Sequence, residues 1–145
     1  MSHPNIIECK RVELESGRLY IVFEYCDMNL TTFMQEKKRK EGRKLHESEI
    51  RYIMRQILSA IEYMHSKGYL HRDIKPENFV IVENTLEVKL IDFGTAREII
   101  KSGPPFSTYV STRWYRAPEC VLRSNHYGPP SDIFAIGCVM AELFN

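Results

Sequence analysis

Asp73, Lys75, Asn78 and Asp92 lie in one stretch, residues 71–94, with the sequence HRDIKPENFVIVENTLEVKLIDFG. Two carboxylates, an amine and an amide can between them handle a phosphate, a hydroxyl or a hard divalent cation. Asp73 is followed by a lysine two residues on and an asparagine five residues on, and Asp92 ends an apolar run just before Phe93-Gly94. A turn there can aim a carboxylate away from a strand end. Magnesium-like cations prefer oxygen ligands, and one or two protein oxygens plus substrate phosphates complete their shell. Asp73 is then a candidate base or hydroxyl-orienting group, and Lys75 a counter-charge for a transferring phosphoryl. Singly, each residue has a plainer reading: Asp73 as a loop cap, Lys75 as a surface lysine, Asn78 and Asp92 as turn residues. Together and in this order they favour a site.

The flanking sequence must hold these side chains in place. Residues 79–82 and 88–91 read as two short apolar strands joined through Glu83-Asn84, and a hairpin between them brings Asn78 and Asp92 to one end. Pro76 forbids a helix after His71, so residues 72–78 form an irregular loop. Upstream, residues 47–67 carry Ile50, Ile53, Met54, Ile57, Ile61 and Met64 on one helical stripe, with Arg51, Arg55, Glu62 and Lys67 opposite. Gly68 supplies the left-handed stop. This helix is the expected spine of the core.

Nearer the start, Ile6-Ile7 with Val12 and Leu14 predicts a short strand, and the β-prone run 19–25 predicts its antiparallel partner across Ser16-Gly17-Arg18. Asn29 is positioned to cap a helix containing Leu30, Phe33 and Met34. Residues 36–44, EKKRKEGRK, hold six basic residues against two acidic and predict a solvated loop. Residues 93–118 lack regular periodicity, and a loop of that length in a compact domain is commonly functional. A short helix over 119–123 and a turn at 127–130 follow. Ser131 or Asp132 is expected to cap a last helix, apolar nearly all round and so of a type buried on most sides, for which the 145 residues supply too few walls.

Bulk properties narrow the class. The chain has 145 residues, 43% hydrophobic and 27% charged, which fits a folded single unit. Its net charge of +1 gives no global reason to expect nucleic acid or an anionic membrane as partner, and residues 36–44 lack the interleaved aromatics of a nucleic-acid patch. Cys9, Cys26, Cys120 and Cys138 are scattered without metal-type spacing and read as reduced thiols of a cytoplasmic or nuclear protein. The opening residues carry no signal-peptide h-region, and no 18-residue apolar run predicts a membrane span.

His71-Arg72-Asp73-Ile74-Lys75-Pro76-Glu77-Asn78, then Asp92-Phe93-Gly94, then Ala117-Pro118-Glu119 resembles the ordered signature of the eukaryotic protein kinases. The resemblance implies an α+β kinase-like fold, with residues 1–26 as the end of an N-lobe plus hinge and 27–145 as the C-lobe up to its buried central helix. It implies ATP and Mg²⁺ as cofactors, Asp73 to accept or orient the substrate hydroxyl proton, Asn78 and Asp92 to hold the cations, and Lys75 to steady the γ-phosphate. Phe23-Glu24-Tyr25-Cys26 resembles the gatekeeper and hinge, so that Glu24 and Cys26 main-chain groups would face adenine and Val80 would pack beneath it. Asp132 to Gly137 resembles the start of the buried helix, with Phe134 where tryptophan is usual and the aspartate that braces the catalytic loop retained.

Residues 107–119 resemble the activation segment of the proline-directed CMGC branch, which holds cyclin-dependent, mitogen-activated and male germ cell-associated kinases, the last most similar. Its dual phosphorylation site falls at Ser107 and Tyr109. Arg113 and Arg116 would partner phosphate on Tyr109, and Arg72 and Arg97 phosphate on Ser107. Thr112 would bond Asp73 and Lys75, and Arg116 would favour proline after the target Ser or Thr. Partners implied are protein substrates with Ser/Thr-Pro sites and an upstream activating kinase. No GxGxxG loop, strand lysine or partner glutamate can be placed in the 145 residues, nor an arginine for Glu119. The expectation is a partial kinase domain inactive by itself. The alternatives are a kinase-like binding or regulatory module without catalysis, and the product of a truncated or miscalled gene.

Overall fold

A computed structural model describes residues 2–99, 113–124 and 127–145. Strand β1 (Cys9–Glu15) pairs antiparallel with β2 (Arg18–Phe23), with Glu15 opposite Arg18 and Leu14 opposite Leu19. Ser16 and Gly17 both take positive φ, 51° and 76°, the turn conformation whose twist matches that of the strands it joins. The expected strand at Ile6-Ile7 is displaced to Cys9–Glu15. Ile7 instead donates its N–H to the Leu90 carbonyl (3.0 Å), and Leu90 donates to Asn5 O (2.9 Å). The reason is burial: Ile6 and Ile7 find an apolar neighbour against the central sheet, whereas every residue of β1 is exposed.

Strand β3 (Met28–Asn29) leads into helix α1 (Leu30–Glu41), whose Thr32 N–H is capped by Asn29 Oδ1 at 2.9 Å. The helix runs through most of the basic stretch, so the solvated loop expected over 36–44 is confined to the residues after Glu41. Lysine, arginine and glutamate are good helix formers, and Lys38, Arg39 and Lys40 in the last turn complement the helix dipole. Glu36–Arg39, Glu36–Lys40 and Lys37–Glu41 also pair at helical spacing. Gly42, at φ 63°, stops it.

Helix α2 (Glu47–Ser66) buries the stripe read from its periodicity, with Ile53, Ile57, Ile61 and Met64 fully enclosed. Each such side chain contributes roughly 1.5–3 kcal/mol by leaving water. Opposite it lies a three-stranded antiparallel sheet ordered β3, β5 (Phe79–Val82), β6 (Glu87–Leu90). Phe79, Ile81, Val88 and Leu90 alternate toward the helix, as a half-buried strand requires. The β5–β6 turn spans Glu83 to Leu86, wider than Glu83-Asn84 alone. Gln56 of α2 holds it by donating to Leu86 O (2.8 Å) and accepting from Val88 N–H (2.9 Å).

The stretch read as irregular beyond Asp92 contains ordered pieces. A 3-10 turn at Phe93–Thr95 is followed by β7 (Arg97–Glu98), antiparallel to β4 (Tyr69–Leu70). A further 3-10 turn, Arg113–Tyr115, precedes the short helix α3 (Pro118–Val121) and then α4 (Pro129–Leu143). Neither Ser131 nor Asp132 caps α4, since the N-cap is Gly128. Pro129 and Pro130 occupy the first turn and bring no N–H groups to satisfy, which releases both polar side chains for other partners. Nor is α4 buried on most sides. Ala135, Ile136, Val139 and Leu143 enter the core, while Ile133, Phe134, Met140 and Phe144 are 43–51% exposed. Among the described residues no helix is long and apolar enough to cross a membrane.

Candidate active site

The loop between β4 and β5 is built around a buried carboxylate from a distant helix. Asp132, on the first turn of α4, is 1% exposed. Its Oδ2 accepts the His71 N–H (3.0 Å) and its Oδ1 the Arg72 N–H (3.0 Å), while His65 of α2 lies 2.9 Å from Oδ2. These bonds hold Arg72 in the left-handed region at φ 73°, which costs a non-glycine residue about 1–2 kcal/mol. The His71 ring is fully buried, donates Nε2–H to Ile91 O (3.0 Å), and accepts the Asp73 N–H at Nδ1 (3.3 Å). Burial pushes the His71 pKa below its ordinary value, against the opposing pull of the Ile91 bond and the nearby aspartates. The ring is therefore neutral, with its proton on Nε2. Phe93 meets it edge-on at 5.6 Å between ring centres, and Thr95 Oγ1 donates to His71 O (2.9 Å).

That scaffold presents Asp73, Lys75 and Asn78 as one cluster. Lys75 Nζ donates to Asp73 Oδ2 at 2.7 Å, and Asn78 Nδ2 donates to Asp73 O at 2.7 Å and Oδ2 at 3.1 Å. A 3-10 turn at Pro76–Asn78, closed by Asn78 N–H to Lys75 O (3.0 Å), turns the amide back toward Asp73. Both of its acceptors are oxygens, which fixes the amide orientation and turns Asn78 Oδ1 away from Asp73. Asp92 follows β6, and Ile91 N–H donates to Asn78 O (2.9 Å), so the hairpin brings Asn78 and Asp92 to the same end. Asp92 is left-handed, φ 61°, and its Oδ1 accepts Gly94 N–H at 3.2 Å. Asn78 Oδ1 and Asp92 Oδ2 are the oxygens this geometry offers to a hard cation, and an amide with a carboxylate is a donor set that suits Mg²⁺.

Phe23, Glu24, Tyr25, Cys26 and Val80 line a cleft of about 750 Å³ that also reaches Asp92. Ile7, Ile21 and Ile91 complete its apolar walls. This size and character suit a purine-bearing ligand. Burial acts against the Glu24 carboxylate, yet the Glu8 N–H at 2.8 Å and Lys89 Nζ at 3.2 Å hold its pKa below the usual value. The Cys26 thiol is pushed up by burial and by Glu24.

Of the residues with expected regulatory roles, Arg72 donates to Thr95 O (3.3 Å) and lies over the Tyr127 ring at 5.7 Å. Arg97 stands opposite Leu70 in the β4–β7 pair, so these two arginines share one neighbourhood. Arg113 is exposed and Arg116 half-buried, on a separate segment. Ser107, Tyr109 and Thr112 lie outside the described residues. Reading the residues alone did not single out His65, Thr95 or the cleft isoleucines. Asp132 was visible through its motif, whereas His65 had no local signal because its partner is 67 positions away.

The protein kinase domain model matches residues 1–145. Serine/threonine-protein kinase ICK of Mus musculus is 48% identical over 144 residues, covering 99% of this chain and 22% of that protein. Serine/threonine-protein kinase MAK of Homo sapiens is 46% identical, with coverages of 99% and 22%. Cyclin-dependent kinase F-3 of Oryza sativa subsp. japonica is 46% identical, with coverages of 99% and 32%. The chain thus spans less than a third of the length of these curated relatives. Among solved structures, a chain of the yeast RNA Pol II CTD kinase CTDK-1 complex superposes with a TM-score of 0.88 at 34% identity, covering 100% of this chain and 46% of that one. Motif order, α+β architecture and these similarities agree: the chain belongs to the protein kinase domain family, as a serine/threonine kinase domain of the CMGC branch related to the MAK, ICK and cyclin-dependent kinase F types.

Proposed function

We propose that the full-length protein carrying these residues transfers the γ-phosphate of ATP to Ser or Thr hydroxyls of protein substrates at Ser/Thr-Pro sites, under control of phosphorylation at Ser107 and Tyr109, the 145 residues by themselves being inactive for want of a Gly-rich loop and strand lysine. The observation that carries this reading is the Asp73–Lys75–Asn78 cluster, closed by bonds of 2.7–3.1 Å at the end of a hairpin that also ends in Asp92. Residues 1–26 act as the end of an N-lobe with its hinge, and 27–145 as the C-lobe part. Cytoplasm or nucleus is the setting that reduced cysteines suit. Neither nucleic acid nor membrane is a partner in this reading.

Bound MgATP supplies the transferable phosphoryl group and the cation charge that offsets it. Phe23, Val80 and main-chain groups of Glu24 and Cys26 hold the base, and Asn78 and Asp92 provide cation ligands. Asp73, with Oδ2 tied to Lys75 and Asn78, is held in one orientation to align the substrate hydroxyl and take its proton. Lys75 stands beside it as the positive charge for the developing negative one. Arg116 shapes the acceptor for proline after the target residue.

Transfer of labelled phosphate from ATP to a Ser-Pro peptide tests this reading. Asp73→Asn should lower kcat by about 10²–10⁴-fold, and Asp92→Asn should remove Mg²⁺-dependent ATP binding. Transfer that survives Asp73→Asn overturns the role of Asp73. Mg²⁺-dependent ATP binding without transfer in the unaltered protein favours a regulatory module.

A further inference from the structure

The first turn of α4 holds two loops with two adjacent side chains. Asp132 braces the catalytic loop, as described above. Its neighbour Ser131, 2% exposed, donates its hydroxyl to Glu119 Oε1 at 2.8 Å. The buried Cys120 thiol in turn donates to Ser131 Oγ at 3.6 Å. Burial keeps that thiol protonated, so the two bonds run in one direction, thiol to hydroxyl to carboxylate. Successive helical residues point about 100° apart, which is why one turn can serve the catalytic loop with Asp132 and α3 with Ser131.

Glu119 lies in the first turn of α3, a few residues after the segment that carries Arg113, Trp114, Tyr115 and Arg116. Within that segment, the turn at Arg113–Tyr115 also packs against α4, and burial together with the nearby Glu142 carboxylate pushes the Tyr115 pKa up. The segment thus packs on α4 through its 113–115 turn and is hydrogen-bonded to it through Ser131 and Glu119. A small apolar cluster of Leu70, Ala117, Cys120 and Tyr127 packs α3 against the strand residue just before His71. Ser131, adjacent to Asp132, ties the segment to the same turn that fixes His71 and Arg72.

We propose that Ser131 is a positioning residue that sets residues 113–121, as the surface receiving the substrate peptide, relative to Asp73. The assignment rests on the kinase reading above. With Ser131 in place, Glu119 and the Asp132-bound loop move as one body. Without its hydroxyl, Glu119 loses its donor on α4 while the Asp132 bonds remain.

Amide hydrogen exchange and peptide kinetics on the unaltered protein, Ser131→Ala and Ser131→Thr test this. In Ser131→Ala the amides of Cys120, Val121, Leu122 and Ser124 should exchange about tenfold faster, with His71 and Arg72 unchanged. The peptide KM should rise about tenfold while the ATP KM holds, since only substrate placement is altered. Ser131→Thr keeps the hydroxyl and should restore both readouts. Unchanged exchange around Glu119, or faster exchange at all these amides together, overturns the positioning role. If the unaltered protein transfers no phosphate, the kinase reading fails, and the exchange data still decide whether Ser131 fixes the segment.

Discussion

Asn78 donates its side-chain amide to Asp73 twice, to the main-chain oxygen at 2.7 Å and to the carboxylate at 3.1 Å. One buried amide therefore sets both the backbone and the side chain of the proposed base. Its carbonyl end is thereby turned away from Asp73. Asn78→Ala removes two donors and leaves a buried oxygen of Asp73 without them. The loss should be about 1–3 kcal/mol, measured from the urea midpoint, and Mg²⁺-dependent nucleotide binding should weaken as well. An unchanged midpoint would show that Asp73 is fixed by other contacts.

Asp132→Asn tests the brace. A carboxylate accepts from the His71 and Arg72 amides through separate oxygens, whereas an amide must turn N–H groups toward one of those donors. Loss of at least one charge-assisted bond should cost about 1.5–3 kcal/mol, with exchange at His71 and Arg72 rising first. Equal acceleration across α2 would point to global unfolding.

The buried neutral His71 makes stability depend on acidity. Its folded pKa lies below the reference value of 6.5, so the native state binds fewer protons than the unfolded chain as pH falls past 6.5. Its contribution is present above that pH and is lost as pH drops toward the lowered folded value. Urea midpoints from pH 8 to 5.5 should fall for the unaltered protein and fall less for His71→Asn. Nitrogen shifts of the ring at pH 7 should show Nδ1 unprotonated, and a fully protonated ring there would rule the account out.

Gly68 stops α2 at φ 79°, with nothing within 4 Å of where a Cβ would stand. Substitution is thus strained by backbone conformation alone. Gly68→Ala should cost about 1 kcal/mol and Gly68→Asn less, read as shifts in thermal midpoint. Equal shifts for both would mean that the left-handed preference does not decide the cost.

The legible parts of this protein are those whose causes lie within a few residues. The α2 stripe was readable because Ile50, Ile53, Ile57, Ile61 and Met64 recur at helical period, and the first hairpin because Ser16-Gly17 suits a tight turn. The meeting of Asn78 and Asp92 followed from two strands of matched length. The basic run misled because charge was read as solvation, although lysine, arginine and glutamate also pair along a helix face. The all-round apolar composition of α4 implied a helix with too few walls in these residues, yet which of its sides meets a neighbour depends on what packs there.

The sequence by itself determined the family motifs, their order and the local elements that carry them, because propensity, turn chemistry and hydrophobic period act over short separations. Tertiary structure alone decided that His65 and two loop amides converge on one buried aspartate, that Ile6 and Ile7 leave the first strand for Leu90, and that Ser131 faces Glu119 instead of capping its helix. The physical reason is burial. Once α4 packs against α2, Asp132 is out of reach of water, and the nearest donors must satisfy it wherever they stand in the sequence.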